Sequence, residues 1–286
     1  VAYGGLPVRQ LAKQQLVVLV EQLRKGGMPR TDGKARRPWQ GRTVNLMMFA
    51  LGRVLDDAMK QGIVARNVAG LVDRLPQNRP EMQTYTRAEV SQALTAARPD
   101  RLEHAWHLAL YGLRRGEVAG LRWSDVDFRN KTITIRAARV AVDGQALVST
   151  PKTSKGNRTL PLTPDLIAVL RRAKRRRTAE QKKAGAAWCS TDYVITNEIG
   201  EALHPETLSA GWDRLITRAK VRRIRLHDAR HTCGTLLHLQ GVPVAVISAW
   251  LGHADAAFTM RTYVHSQNDA LKDAADALQR RRVTSA

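Results

Sequence analysis

Four stretches of this 286-residue chain carry side chains whose types and spacing suit chemistry on a phosphate. HDARH, residues 227–231, sets His227 and Arg230 three apart, so on a helix they share one face. An imidazole donor beside a guanidinium fork suits a phosphate. The same stretch places His227 and His231 four apart, as in a zinc-binding HExxH helix, but Asp228 stands where the glutamate general base belongs. YGLRRGEVAGLRWSDVDF, residues 111–128, sets Arg114 three before Glu117. That pair is either a surface ion pair of little worth or a buried guanidinium whose fork Glu117 orients without reacting. Arg115 is expected to be exposed. In LGHADAAFTMRTYVH, residues 251–265, Gly252-His253 reads as a helix stop and a fresh turn, with Tyr263 on the following helix. Alone, Tyr263 reads as a half-buried packing residue. Beside cations it is a phenol able to form a covalent phosphoester, provided its neighbours compensate for a pKa near 10. PKTSKGNR, residues 151–158, is a polar basic turn holding Lys152 and Lys155.

The elements that would position these groups follow from periodicity. Helices are expected at roughly 7–25, with Leu11, Leu16, Leu19, Val20 and Leu23 on one stripe, and at 41–61, with Leu46, Phe49, Ala50, Val54, Leu55 and Ala58. A shorter helix is expected at 67–74. The glycine-rich, basic stretch GGMPRTDGKARRPWQGR joins the first two and reads equally as a solvated loop or as one lying on phosphates. Pro76 and Pro80 disfavour helix before them, and Thr86 opens a T-R-A-E capping box. A boundary therefore falls near residue 80: a helical domain over 1–80 and a second domain over 81–286. Beyond it, helices are expected at 86–98, 101–112 and 116–121, a strand at 132–136, a hairpin turn at Asp143-Gly144 and a strand at 159–162. From Thr163 the reading is helical almost to the end, at 164–184, 205–220, 227–240, 243–251, 255–263 and 267–281. RRAKRRR, residues 171–177, reads as a solvated basic face. The whole is mainly α with a small antiparallel β-sheet.

Composition narrows the partners. Lys plus Arg number 47 against 25 Asp plus Glu, a net charge of +22, with a pI near 11.0. Such an excess points to a polyanion, with double-stranded DNA foremost. A membrane partner is not expected: no apolar run approaches the roughly 20 residues that span a bilayer, and no signal peptide is visible. Two cysteines without a CxxC exclude a disulfide framework and a multi-cysteine zinc site and fit a reducing, cytoplasmic setting. The chain opens at Val1 rather than Met, which leaves room for a missing N-terminal segment.

Together, GLRRGEVAGLRWSDVD, PKTSKGNRTLPL and HDARHTCGTLLHLQGVPVAVISAWLGHADAAFTMRTYVH resemble the tyrosine recombinase (phage integrase) family, in order and spacing, over almost all of residues 86–265. The first 80 residues resemble its helical core-type DNA-binding domain. The resemblance implies the DNA breaking-rejoining enzyme fold and a catalytic set. Arg114 and Arg230 clamp the scissile phosphate, and Glu117 orients the guanidinium. Lys152, with Lys155 as fallback, protonates the departing 5′ oxygen. His227 hydrogen-bonds the phosphate and assists proton transfer. His253 holds a phosphate oxygen or helps activate the nucleophile, and Tyr263 attacks the phosphorus. No metal or other cofactor is implied, because guanidinium forks can stabilise the charge gained in transfer.

The expected activity is site-specific integration or excision of a phage or mobile element, by a homotetramer on two attachment-type sites. DNA-bending or directionality factors would be further partners, and the cytoplasmic nucleoid the setting. Arg122 would belong to the DNA surface, and the helix at 267–281 would dock on a neighbouring protomer. Two alternatives stay open: a DNA-binding architectural factor without catalysis, and a type IB topoisomerase-like enzyme.

Overall fold

A computed structural model of the chain describes residues 5–26, 37–77, 82–149 and 157–253. Lys152, Lys155, Tyr263, the helices expected at 255–263 and 267–281, and most of the basic loop at 26–42 lie outside the described residues. The chain divides into two compact units, residues 1–81 and 82–286.

In the first unit, the helix expected at 7–25 is a 3-10 turn at Val8–Gln10 followed by α1, Lys13–Arg24. The second helix is α2, Gly41–Lys60. The helix expected at 67–74 shortens to a 3-10 turn, Val68–Leu71, with the Asn67 side chain accepting from the backbone of Ala69 and Gly70. Leu16, Leu55, Val68 and Ala69 form the core, with Leu11, Leu19, Met48 and Leu51 packed against it. Of the stripe expected on α2, Leu55 is in this core, and the rest is corrected. Leu46, Phe49 and Val54 are exposed, and the inward face runs through Val44, Met48, Leu51 and Leu55. Both sets have helical spacing, so periodicity alone could not choose between them.

The second unit opens on Tyr85, which is buried against Trp212. Its backbone N–H donates to Thr232 Oγ1 at 3.0 Å and its hydroxyl to the Arg222 carbonyl at 2.6 Å. Thr86 then caps α3, Arg87–Ala97, with Glu89 completing the expected capping box, a device worth about 1 kcal/mol. Next come α4 (Glu103–Leu110) and α5 (Arg115–Gly120). The two-residue strand β1 (Val126–Asp127), β2 (Thr132–Ile135) and β5 (Arg158–Pro161) form an antiparallel sheet in the order β1-β2-β5. Ile133 pairs with Leu160 on its buried side. β3 (Ala138–Val142) and β4 (Gln145–Ser149) form a separate hairpin. Its turn is Asp143-Gly144, both with positive φ, as a two-residue type I′ turn demands. α5 lies so close on β3 that a Cβ on Gly116 would come within 2.8 Å of the Arg139 carbonyl oxygen.

Among the described residues four further α-helices follow: α6 (Pro164–Ala184), α7 (Pro205–Ala219), α8 (Leu226–Leu239) and α9 (Val244–Leu251). Trp106 of α4 and Trp212 of α7 meet at the centre of the core. The stretch between α6 and α7, which the expected helices at 164–184 and 205–220 leave open, is largely irregular, with bridges from Arg122 to Tyr193 and from Thr196 to Ala202. Val194, Ile195 and Thr196 favour extended backbone, and Asn197 turns the chain by accepting from the N–H groups of Ile199 and Glu201.

The basic run on α6 is also more than a solvated face. Arg172 pairs with buried Glu103 at 2.6 Å, and Arg176 donates to the Arg101 carbonyl at 2.6 Å. Arg177 donates to the Thr191 carbonyl and lies over the Trp188 ring. Among the described residues no helix is long and apolar enough to cross a membrane.

Candidate active site

Glu117 is the centre of the site. It lies in the first turn of α5, buried, and three arginines from three separate elements converge on its carboxylate. Arg114, the N-cap residue of α5, donates its backbone N–H to Oε2 at 2.8 Å and its Nη1 to Oε1 at 2.7 Å. Arg158, from β5, donates Nη1 to Oε1 at 3.0 Å and Nη2 to Oε2 at 2.8 Å. Arg230, from the middle of α8, brings Nη1 to 3.8 Å from Oε2. Burial alone would raise the Glu117 pKa. The hydrogen bonds and charge of Arg158, then the charge of Arg230 and the backbone N–H of Arg114, outweigh it and bring the value down to about 2. One carboxylate among three guanidiniums leaves a local excess of positive charge, the condition for holding an anion.

The arginines differ in how much they show. The Arg114 side chain is 39% exposed, and its Nη2 donates to the Gly252 carbonyl at 2.9 Å. Arg114 is therefore half-exposed, where the sequence alternatives were a surface pair or a buried fork. Arg230 is 2% exposed. Its Nη1 donates to the Gly112 carbonyl at 2.5 Å and its Nη2 to the Leu251 carbonyl. Arg158 is 6% exposed and donates Nε to the Trp250 carbonyl at 2.7 Å. Arg115, expected to be exposed, is half-buried and donates to Ser209 Oγ at 3.0 Å. Arg122 lies over the Tyr193 ring.

Two histidines border this cluster. α9 ends at Gly252, in the left-handed region at φ +62, and the chain turns there to half-buried His253. The His253 N–H donates to the Ser248 carbonyl at 3.0 Å. Burial, then the charges of Arg230 and Arg114, push its pKa down to about 4. His227, in the first turn of α8, keeps an exposed edge. Desolvation by the surrounding protein, then the charge of Arg230, lowers its pKa as well. His231 stands edge-on to it, ring centroids 4.9 Å apart. Near neutral pH both His227 and His253 are uncharged and able to accept a proton.

The fold thus brings together Arg114, Glu117, Arg230 and His253, with His227 on the same helix as Arg230. Lys152 and Tyr263 lie outside the described residues. Sequence reasoning missed Arg158. A signal existed: Arg158 and Leu160 alternate onto one face of β5, and Leu160 is buried. An arginine on the inward face of a strand must find a counter-charge there.

Comparison with known proteins is consistent across sequence and structure. The model of the phage integrase family matches residues 84–269. A XerC-like tyrosine recombinase of Caldanaerobacter subterraneus subsp. tengcongensis is 28% identical over 78% of this chain and 62% of its own length. The ICEBs1 integrase of Bacillus subtilis is 28% identical over 83% of this chain and 65% of its own. The chain thus spans less than two thirds of either relative. Among solved structures, the Tn1549 transposon integrase in complex with a circular intermediate DNA superposes with a TM-score of 0.75 at 17% identity, covering 95% of this chain and 87% of that one. A lambda integrase tetramer bound to a Holliday junction superposes with a TM-score of 0.59 at 16% identity, covering 87% and 66%.

Proposed function

The chain belongs to the phage integrase family, and from that membership we propose that it is a site-specific DNA recombinase that cuts and rejoins strands through a 3′-phosphotyrosine. The observation that carries this reading is the meeting of Arg114 and Arg230 beside two neutral imidazoles, on elements far apart in sequence. The scissile phosphate binds at Arg114 and Arg230, whose charge stabilises the oxygens that gain negative charge as transfer proceeds. Tyr263 Oη attacks the phosphorus. The Oη–P bond forms, the P–O5′ bond breaks, the tyrosine proton passes to an imidazole, and Lys152 protonates the departing 5′ oxygen. Attack by the 5′ hydroxyl of the partner strand reverses these steps and frees Tyr263. The ester keeps the bond energy, so rejoining needs no nucleotide.

The natural reactants are two attachment-type sites of a mobile element on cytoplasmic, nucleoid DNA, joined by four protomers, with DNA-bending or directionality factors assisting. The DNA-bound integrase and the tetramer among its structural neighbours support that setting. The division at residues 81 and 82 supports a core-type DNA-binding domain ahead of a catalytic domain.

Nicked duplexes drawn from fragments flanking the encoding gene test the reading. Wild-type protein should give a covalent protein–DNA adduct on a denaturing gel, and Tyr263→Phe should bind the same DNA without one. Binding with site preference but no adduct from the wild type would overturn it in favour of an architectural factor.

A further inference from the structure

We propose that Arg158 is the positioning residue of this active site: it takes up the charge of Glu117 and anchors the turn before His253, and so fixes Arg114 at both ends while leaving its charge for the phosphate. This inference rests on the recombinase reading above.

The Glu117 carboxylate has about four acceptor positions, and four hydrogen bonds fill them. Arg158 supplies two as a parallel fork, Arg114 the other two through its backbone N–H and Nη1. A fork-to-fork pair fixes the plane of the carboxylate. With that plane set by Arg158, one position on Oε1 remains for the Arg114 side chain, which is therefore held by a single donor. Without Arg158, the carboxylate is free to turn its full face onto Arg114 and draw that guanidinium out of the geometry that phosphoryl transfer needs. The other end of Arg114 rests on the Gly252 carbonyl, and the same Arg158 secures that turn. Its Nε holds the Trp250 carbonyl at 2.7 Å, and its guanidinium fills the space beneath Gly252, where a Cβ would come within 2.9 Å of Nη1. Each of the three guanidinium nitrogens of Arg158 already donates within the protein, two to Glu117 and one to the Trp250 carbonyl. Arg158 also lies six residues beyond Lys152 in the chain.

The test is single-turnover cleavage of a nicked site across a range of DNA concentrations, with wild type, Arg158→Met, Arg158→Lys, Glu117→Gln and the double variant Glu117→Gln/Arg158→Met. Arg158→Met should lose on the order of a hundredfold in maximal rate, the scale of a misplaced reacting group, with the half-saturating DNA concentration unchanged. Arg158→Lys, which restores the charge and one donor, should recover part of that loss. The double variant should lose less than the product of the two single losses, since one of the two routes by which Arg158 acts runs through that carboxylate. Rates are read below each variant's melting temperature, so a purely structural role would leave the maximal rate intact. Arg158 variants that cleave at the wild-type rate, or losses that multiply in the double variant, overturn the inference and leave the recombinase reading standing. Absence of adduct from the wild type overturns both.

Discussion

Arg114 Nη2 donates to the carbonyl oxygen of Gly252 at 2.9 Å, joining the start of α5 to the end of α9 across 138 positions of the sequence. The bond makes the backbone of the turn before His253 part of the support of an arginine. Gly252 is also the residue that lets α9 stop: it sits at φ +62, and a Cβ there would meet the Arg158 side chain at 2.9 and 3.2 Å. Gly252→Ala therefore incurs about 1–2 kcal/mol for left-handed backbone, together with displacement of Arg158. The expected result is a melting temperature lower by several degrees and slower cleavage with DNA affinity retained. A variant that melts and cleaves like the wild type would separate this turn from the site.

The pH dependence of stability follows from the histidines. Burial is the first cause in each case and lowers His104, His231 and His253 to about 4, and His107 and His227 in the same direction, from an ordinary 6.5. Between pH 6.5 and about 4 the unfolded chain therefore binds more protons than the folded one, and stability rises with pH across that window. Glu117 acts in a lower window. Its depressed pKa stabilises the fold above the ordinary carboxylate value near 4.5, and that contribution is lost as pH falls towards about 2. Thermal melts should show a melting temperature that declines steadily as pH falls from 6.5 towards 4. A flat profile there would mean that these histidines titrate normally in the folded chain.

The two faces of α2 give a stability contrast within the first unit. Leu55 is buried in that unit's core, and Leu46 and Phe49 are exposed. Leu55→Ala should cost about 2–5 kcal/mol through the lost contacts and the cavity left behind. Leu46→Ala should stay within roughly 0.5 kcal/mol, as for a surface change. Denaturant melts of the full chain check both, and a larger loss at Leu46 than at Leu55 would mean that α2 packs on the face carrying Leu46.

The stripe expected on α2 shows where the sequence was legible and where it was not. Local chemistry was readable: Thr86 with Glu89 marks the start of α3, Asp143-Gly144 the hairpin, and the Thr132–Ile135 alternation a strand. These signals are complete within a few residues. The inward face of α2 depends on what packs against it, and the helix is apolar on more than one side. The bridges in the 188–204 stretch carry no sequence signal, because the strand-like run is short and its partner, Arg122, lies some 70 positions earlier. At the site, the spacing of Arg114 from Glu117 and of Arg230 from His227 is visible in the sequence, and His253 enters through the family resemblance, whereas Arg158 carries no such signal. Its meaning lies in a carboxylate 41 positions away that the fold brings to it.

The two arginines assigned to the phosphate should separate in a paired measurement of stability and rate. Arg114 is half-exposed and shares Glu117 with Arg158, so Arg114→Ala leaves the carboxylate forked to a guanidinium and should cost at most about 1 kcal/mol of stability. Its single-turnover rate should still fall on the order of a hundred- to a thousandfold, the usual loss on removing one transition-state donor. Arg230 supports the fold as well, because its guanidinium satisfies the buried carbonyls of Gly112 and Leu251. Arg230→Ala strips both, at about 1–3 kcal/mol for each group left without a donor. It should lose rate and melting temperature together, whereas Arg114→Ala loses rate alone. Denaturant titration beside adduct formation reads the two quantities on the same preparations. Equal destabilisation by both variants would mean that Arg114 is structural, and that the phosphate contact belongs to another cation of the site.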